Sequence, residues 1–461
     1  MRTKIHGRKK STMTMTVKHR GLARPFMTIA LAASVGTAAA SGFQIREQSA
    51  KALGNAMAGA SAGAEDASYM AYNPATIGHL PENQLTGNLS YIDPEIRLKH
   101  ANASTALGTP IQGPTDDGDV NALVPALTAK WRLNEKFDLG LGVYSFWGLK
   151  TDYNRAWIGR YHAVDTSLTT VAINPVLAFK PTPQLSVGAG LIAQYANARL
   201  TNAIDFGTIG AAQGLPGANP GNQDGFARVT GDDWGFGFNL GALYELTPNT
   251  RIGIAYRSKV EHTLKGKASF DPDQAGIANT LGAALGGAFT DTVGKADLTT
   301  PATASLGVLH QATKRLALMA EVQWTNWSEF GRLVVKFDNN TPNSVTDNDW
   351  QDTWFASIGA SYRLTNRWLL RAGLAYDQTP IPDPRHRTPR IPGSDRKWLA
   401  LGTTYSPVAN FDITGSWVHA FLSDADSNLK AGDEGNSARG NLTGTYKVSA
   451  DVFSLQAAWR F

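Results

Sequence analysis

Phe453-Ser454-Leu455-Gln456-Ala457-Ala458-Trp459-Arg460-Phe461 closes the chain with an apolar residue at every second position. Period two puts one set of side chains on one face of an extended strand and the other set on the opposite face. Phe453, Leu455, Ala457, Trp459 and Phe461 make a greasy face. Val452, Ser454, Gln456, Ala458 and Arg460 make a mostly polar one. A soluble sheet carries the same pattern, so recurrence along the chain and cellular context must decide between the two.

The context comes from the other end. Residues 1–24 hold eight Lys and Arg and no acid, residues 26–35 are mostly apolar, and Thr37-Ala38-Ala39-Ala40 precedes Ser41. This is the order of a cleavable export signal, with cleavage expected after Ala40 and residues 1–40 as leader. Its apolar run is too short to span a bilayer as a helix. Of the 43 Lys and Arg, the eight in the leader leave 35 against 38 Asp and Glu, so the +5 of the whole chain becomes −3. The basic balance therefore resides in the leader and gives no ground for a nucleic-acid partner. Cysteine is absent, as suits an exported chain, though weakly.

The alternation recurs from about Gln84 onward. Leu85, Gly87, Leu89 and Tyr91 share one face, as do Leu123, Leu127 and Trp131. Trp234, Phe236, Phe238, Leu240, Ala242 and Tyr244 form the clearest set, and Trp354, Ala356, Ile358, Ala360 and Tyr362 a later one. Many sets begin or end in Trp or Tyr, rings that prefer the headgroup level of a membrane. Arg257, Lys259, Glu261, Glu321, Gln323 and Arg371 occupy opposite faces, where a wet lumen would hold them cheaply. Connections alternate strictly between tight turns (near Asn134, Thr182, Pro248, Thr313, Thr365 and Val408) and long loops (about 102–120, 148–158, 203–228, 269–295, 326–349, 379–394 and 425–439). Tight turns on one side and long loops on the other are the habit of a transmembrane β-barrel. The expected fold is all-β: a 14-stranded antiparallel barrel over 83–461. Residues 41–82, rich in Gly, Ala and Ser and without alternation, form a separate N-terminal segment.

Two long loops stand out. Ile277, Leu281, Leu285 and Phe289 fall four apart, one apolar stripe on a short helix. Phe206, Ile209 and Leu215 sit among Gly and Pro in the loop 203–228. These groups either pack against each other or present an outward groove for an apolar molecule, and the two readings are compatible.

Gly42-Phe43-Gln44 followed by Asn73-Pro74-Ala75 resembles the start of FadL-type transporters of long-chain fatty acids. Trp234-Gly235-Phe236-Gly237, Tyr256-Arg257-Ser258, Trp324-Thr325-Asn326-Trp327-Ser328 and Ile391-Pro392 with Asp395-Arg396 extend the resemblance over the mature chain. It implies an outer-membrane barrel of Gram-negative cells whose lumen is plugged by a hatch, here 41–82. It implies passive uptake of hydrophobic small molecules, fatty acids or aromatic hydrocarbons. Capture would occur in a groove built by the 203–228 and 269–295 loops, followed by a lumen site beside the hatch and sideways exit at a kinked strand. Phe43 and Asn73-Pro74-Ala75 carry over as the hatch's functional marks. Phe43 senses ligand or anchors the terminus. Arg199 and Arg257 meet a carboxylate or pair with neighbouring acids. The remaining expected partners are outer-membrane lipids and the barrel-assembly machinery, through Phe461. No cofactor or metal is expected. A general porin is the competing class, and a plug of small residues counts against it. Scattered histidines without H-E-x-x-H, G-x-S-x-G or P-loop give no enzyme signature.

Overall fold

A computed structural model describes residues 42–461; the leader assigned to 1–40, with Ser41, lies outside the described residues. The closing stretch is the end of a strand, Asn441–Arg460, and its alternation is real. Phe453, Leu455, Trp459 and Phe461 are exposed, Leu455 at 61%, while Ser454, Gln456 and Ala458 are buried. In water such an outer surface would be unstable. In a bilayer it faces hydrocarbon, and the inward face packs on other protein.

The strand pairs with Gln84–Ser104 at the other end of the barrel sequence, antiparallel, from Gln84↔Arg460 through Leu89↔Leu455 to Ser104↔Asn441. Gln84–Ser104 also pairs with Ala122–Arg132. The sheet therefore closes on itself and leaves no edge, which lipid requires because it offers no partner to a free N–H or C=O. Twenty strand segments make the wall, and six of them continue the preceding segment across a bulge or break. The result is the expected closed barrel of 14 antiparallel strands.

Tight turns fall where the sequence placed them, and the long loops lie at the opposite end. Several long connections hold more strand than expected. Leu185–Asp205 and Asp224–Thr247 stay paired up to Asp205↔Asp224, so this hairpin rises beyond the hydrophobic band. Two helices cap the loops, Phe206–Ala212 and Ile277–Ala284. One expectation fails for a stated reason. The strand Thr250–Arg257 is interrupted at Ser258-Lys259 before Val260–Asp271 begins. The interruption shifts the phase, so Val260, His262 and Leu264 turn inward, while Lys259 and Glu261 are exposed and pair with each other at 2.9 Å instead of facing the lumen.

Residues 42–80 are almost wholly buried and bond to strands around the circumference. Asn55 Nδ2 donates to the carbonyl of Ala360 at 2.8 Å, and the Ser61 N–H donates to Glu321. Lys51 sits between Asp66 (2.9 Å) and Asp412 (3.0 Å), and Arg371 grips Glu65 with two hydrogen bonds. A segment without alternation has no greasy face for lipid, so its small residues and charges are accommodated inside the wall.

Leu455 lies on the outward face between the rims marked by Trp459 and Trp417. Leu455→Arg should therefore destabilise the barrel by about 2–4 kcal/mol in equilibrium unfolding from lipid vesicles, with Ser454→Ala costing far less; equal costs would refute the assigned orientation.

Candidate functional site

The site begins at Phe43. Its ring is fully buried and meets Trp327 edge-on at 4.8 Å between centroids, Phe330 at 5.1 Å and Trp147 at 5.9 Å. Such edge contacts place ring edges against ring faces and add to the burial energy. Gly42 is fixed by the same cage. It adopts φ +60°, and a Cβ there would come within 2.7 Å of Trp327 and 2.8 Å of Trp350, so only glycine lets the chain turn Phe43 inward.

The backbone beside Phe43 mends a break in the wall. Phe137–Tyr144 and Gly148–Asp152 are two pieces of one strand, interrupted at 145–147. Phe137–Tyr144 bonds to the neighbouring strand only from Leu127 onward, so Ala122–Ala126 have no ladder partner on that side. The interrupted stretch bends inward and pairs with the N-terminal segment instead. The Gly148 N–H donates to Phe43 O at 2.8 Å and the Ile45 N–H to Phe146 O at 2.7 Å. Gln48 Nε2 donates to Ser145 O at 2.6 Å. Backbone groups that left the ladder are thereby satisfied.

Above Phe43 lies an apolar cavity with about 790 Å³ of empty space, its open mouth included. Leu149, Leu168, Leu200, Leu264, Leu298 and Phe330 line it with Phe43 as part of its boundary. Its polar edge comes from the outer loops. Arg390 is buried, and its guanidinium donates to Thr166 Oγ1 at 2.7 Å and to Asn202 Oδ1 at 3.3 Å, both neutral. Burial and the neighbouring Arg439 push Arg390 down to about 9, with Asp165 offsetting part of this. The direction reflects a buried cation beside a second cation, only partly offset by Asp165, since a guanidinium keeps its proton. His162, on the 153–164 loop, is driven down to about 3 by burial and then by Arg439 and Arg390, so it stays neutral. Asn348, another lining residue, is buried with its Nδ2 unpartnered among the described residues.

The residues singled out from sequence divide into those at the cavity and those away from it. Phe43 is on it. Arg199 is not: Ala198 and Leu200 face the cavity, and period two turns Arg199 to the other side, where it pairs with Asp165 at 2.6 Å. Arg257 lies lower, in a polar lumen space of about 580 Å³, with its guanidinium 3.5 Å from the Phe146 ring and a 2.6 Å hydrogen bond to Ala71 O. Asn73, Pro74 and Ala75 are also away from the cavity, near the tight-turn end. Asn73 Nδ2 donates to Ser61 O at 2.7 Å and Ala242 O at 3.0 Å, its Oδ1 caps Ala75 N–H, and Ser186 Oγ donates to Ala75 O. These contacts fasten the internal segment to the wall. In the outer loops Phe206, Ile277 and Leu281 are buried together, with Ile209, Leu215 and Phe289 packed around them. Leu285 caps its helix and is exposed, because the helix ends at Ala284 and the four-residue stripe runs out of turns. Arg390 escaped the sequence reading because it sits in an irregular loop beside Ile391-Pro392.

The family model described as outer membrane protein transport protein (OMPP1/FadL/TodX) matches residues 30–461. A 47 kDa outer membrane protein of Pasteurella multocida is 33% identical, covering 94% of this chain and 97% of its own. A long-chain fatty acid transport protein of Salmonella typhi is 31% identical over 85% of this chain and 91% of its own. The crystal structure of a Pseudomonas aeruginosa FadL homologue superposes with a TM-score of 0.83 at 28% identity, covering 91% of this chain and all of that one.

Gly42→Ala tests the cage. The added methyl should displace Phe43 at a cost of about 1–3 kcal/mol, seen as a red shift and quenching change in tryptophan emission, while the barrel keeps its heat-modifiable migration on gels. Unchanged emission would show that Phe43 is not held as described.

Proposed function

This chain belongs to the OMPP1/FadL/TodX family of outer-membrane transport proteins, which are channels and not enzymes, and from that premise we propose that it imports long-chain carboxylates by passive diffusion. The family places it in the Gram-negative outer membrane as a transporter of hydrophobic compounds. The physical task is to carry an oily molecule past a polar outer leaflet. Each CH₂ removed from water yields roughly 0.8 kcal/mol, so an acyl chain settles in apolar sites and would gain nothing from a water-filled pore. The observation that carries the carboxylate reading is the guanidinium of Arg390 on the rim of the apolar cavity, buried and bonded only to neutral side chains. A carboxylate there would supply the missing counter-charge through paired, charge-assisted hydrogen bonds. A neutral aromatic hydrocarbon would fill the cavity and leave that cost in place.

In this reading residues 41–82 act as the hatch. Ligand lands first among the outer helices, where Leu285 is exposed and Ile209, Leu215 and Phe289 are partly so, over the buried Phe206, Ile277 and Leu281. It then moves to the cavity against Phe43. Contact with the ring shifts residues 43–48, and those residues hold the inward bend at 145–147 by backbone hydrogen bonds. Loosening them frees the wall beside Ala122–Ala126, where the ladder is already incomplete, and the ligand leaves sideways into the bilayer. No energy input is needed, because each stage exchanges one apolar surrounding for another. Asn73-Pro74-Ala75 keeps the rest of the hatch anchored while its leading end moves.

Arg390→Gln should weaken binding of a C10–C18 carboxylate about 10–100-fold, the worth of a charged hydrogen-bonded pair, and leave the matching alcohol nearly unaffected. Equal losses for acid and alcohol would sink the carboxylate assignment. Deleting Asn73-Pro74-Ala75 should impair uptake in a strain lacking its own transporter while the barrel still migrates as a folded species; uptake at the original rate would remove the anchor from the mechanism.

A further inference from the structure

A second space opens among the outer loops, apart from the helices at Phe206–Ala212 and Ile277–Ala284. It is a polar cleft of about 780 Å³ between the segment Ser344–Asp347, the 378–395 loop and the 430–440 loop. Two of its lining residues, Thr346 and Thr388, also line the apolar cavity. The two spaces therefore adjoin at Thr346 and Thr388.

The charges around the cleft are arranged in sequence. At its rim Arg385 pairs with Asp433, and Arg332 pairs with Glu434, so adjacent acids on the 430–440 loop hold two neighbouring elements. Both arginines are more than half exposed. Arg385 holds Asp433 with two hydrogen bonds, and its exposed side is open to a competing anion. His386 lines the same rim and meets Asp383 at 3.1 Å. Further in, Arg439 donates to Ser344 Oγ at 2.9 Å and to Thr346 Oγ1 at 3.4 Å, both neutral. Innermost is Arg390, on the cavity itself. Arg385 thus lines the cleft, Arg390 lines the cavity, and Arg439 is bonded to Thr346, which borders both.

We propose that this cleft is a second way into the apolar cavity, selective for amphiphiles with one carboxylate. The head docks at the rim by exchanging with Asp433 on Arg385, and the tail slips between Thr346 and Thr388 into the cavity. The head then follows past Arg439 to Arg390. The tail stays in apolar surroundings and the head stays beside a cation at each stage, so neither end is desolvated alone. The proposal rests on the cavity being the ligand site.

The chain has no cysteine, which makes a single introduced thiol specific. Gly432 lines the cleft, and a Cβ there meets nothing within 4 Å, so Gly432→Cys is tolerated. The full chain in detergent is labelled at that position with a bulky uncharged maleimide. It is then mixed rapidly with a fluorescent conjugated-polyene C18 carboxylate, and separately with the matching alcohol. A blocked path slows arrival and departure alike, so the expected result is association and dissociation of the carboxylate each slowed about tenfold with Kd unchanged, and a smaller effect on the alcohol. Leu285→Cys, labelled identically on the outer helix, should slow the alcohol more than the carboxylate, because the carboxylate keeps the cleft. Carboxylate rates untouched by the label at 432, or an equal slowing of acid and alcohol, would overturn the proposal. Absence of carboxylate binding to the unlabelled protein would instead overturn the cavity reading, which separates the two failures.

Discussion

A polypeptide in hydrocarbon must pair every backbone N–H and C=O within itself, and the rest of this structure follows from how that is done. Closure of Gln84–Ser104 on Asn441–Arg460 removes the sheet's two edges. Once closed, the wall has only two faces, and period two assigns each residue to lipid or lumen. The lumen is wide enough to need filling, and the 42–80 segment fills it with small residues and with charges that are paired at short range, such as Lys51 with Asp66 and Arg371 with Glu65.

The same rule explains why the functional region lies where it does. Where Phe137–Tyr144 breaks off and bends inward, its backbone groups lose the ladder and must find partners elsewhere. Residues 43–48 provide them. The interrupted stretch of wall and the leading end of the internal segment are therefore completed by one set of hydrogen bonds, and Phe43, whose ring bounds the cavity, accepts one of them on its own carbonyl. Coupling between an occupied cavity and the wall needs no longer path than this.

The apolar cavity and its polar rim are built from parts with different origins. Its floor is barrel wall and plug, positioned by the ladder. Its rim is loop, and there the protein holds Arg390 and Arg439 with neutral hydroxyls and amides. Keeping cations in such surroundings costs stability.

The sequence alone determined the barrel, the number of its strands, which end carries the long loops and which residues meet lipid, because each follows from period two and from turn spacing, both local properties. It also singled out Phe43, through Gly42-Phe43-Gln44. It misplaced Lys259 and Glu261, since a break at Ser258-Lys259 changes the phase and no local signal announces a break. It offered Arg199 and Arg257 for a carboxylate or for pairing with neighbouring acids; in the folded chain Arg199 pairs with Asp165 and Arg257 donates to the Ala71 carbonyl. The surroundings of Arg390 belonged to tertiary structure: a loop residue has no periodicity, and its neighbours Thr166, Asn202 and Arg439 are brought to it only when the barrel closes and distant parts of the chain meet at its mouth.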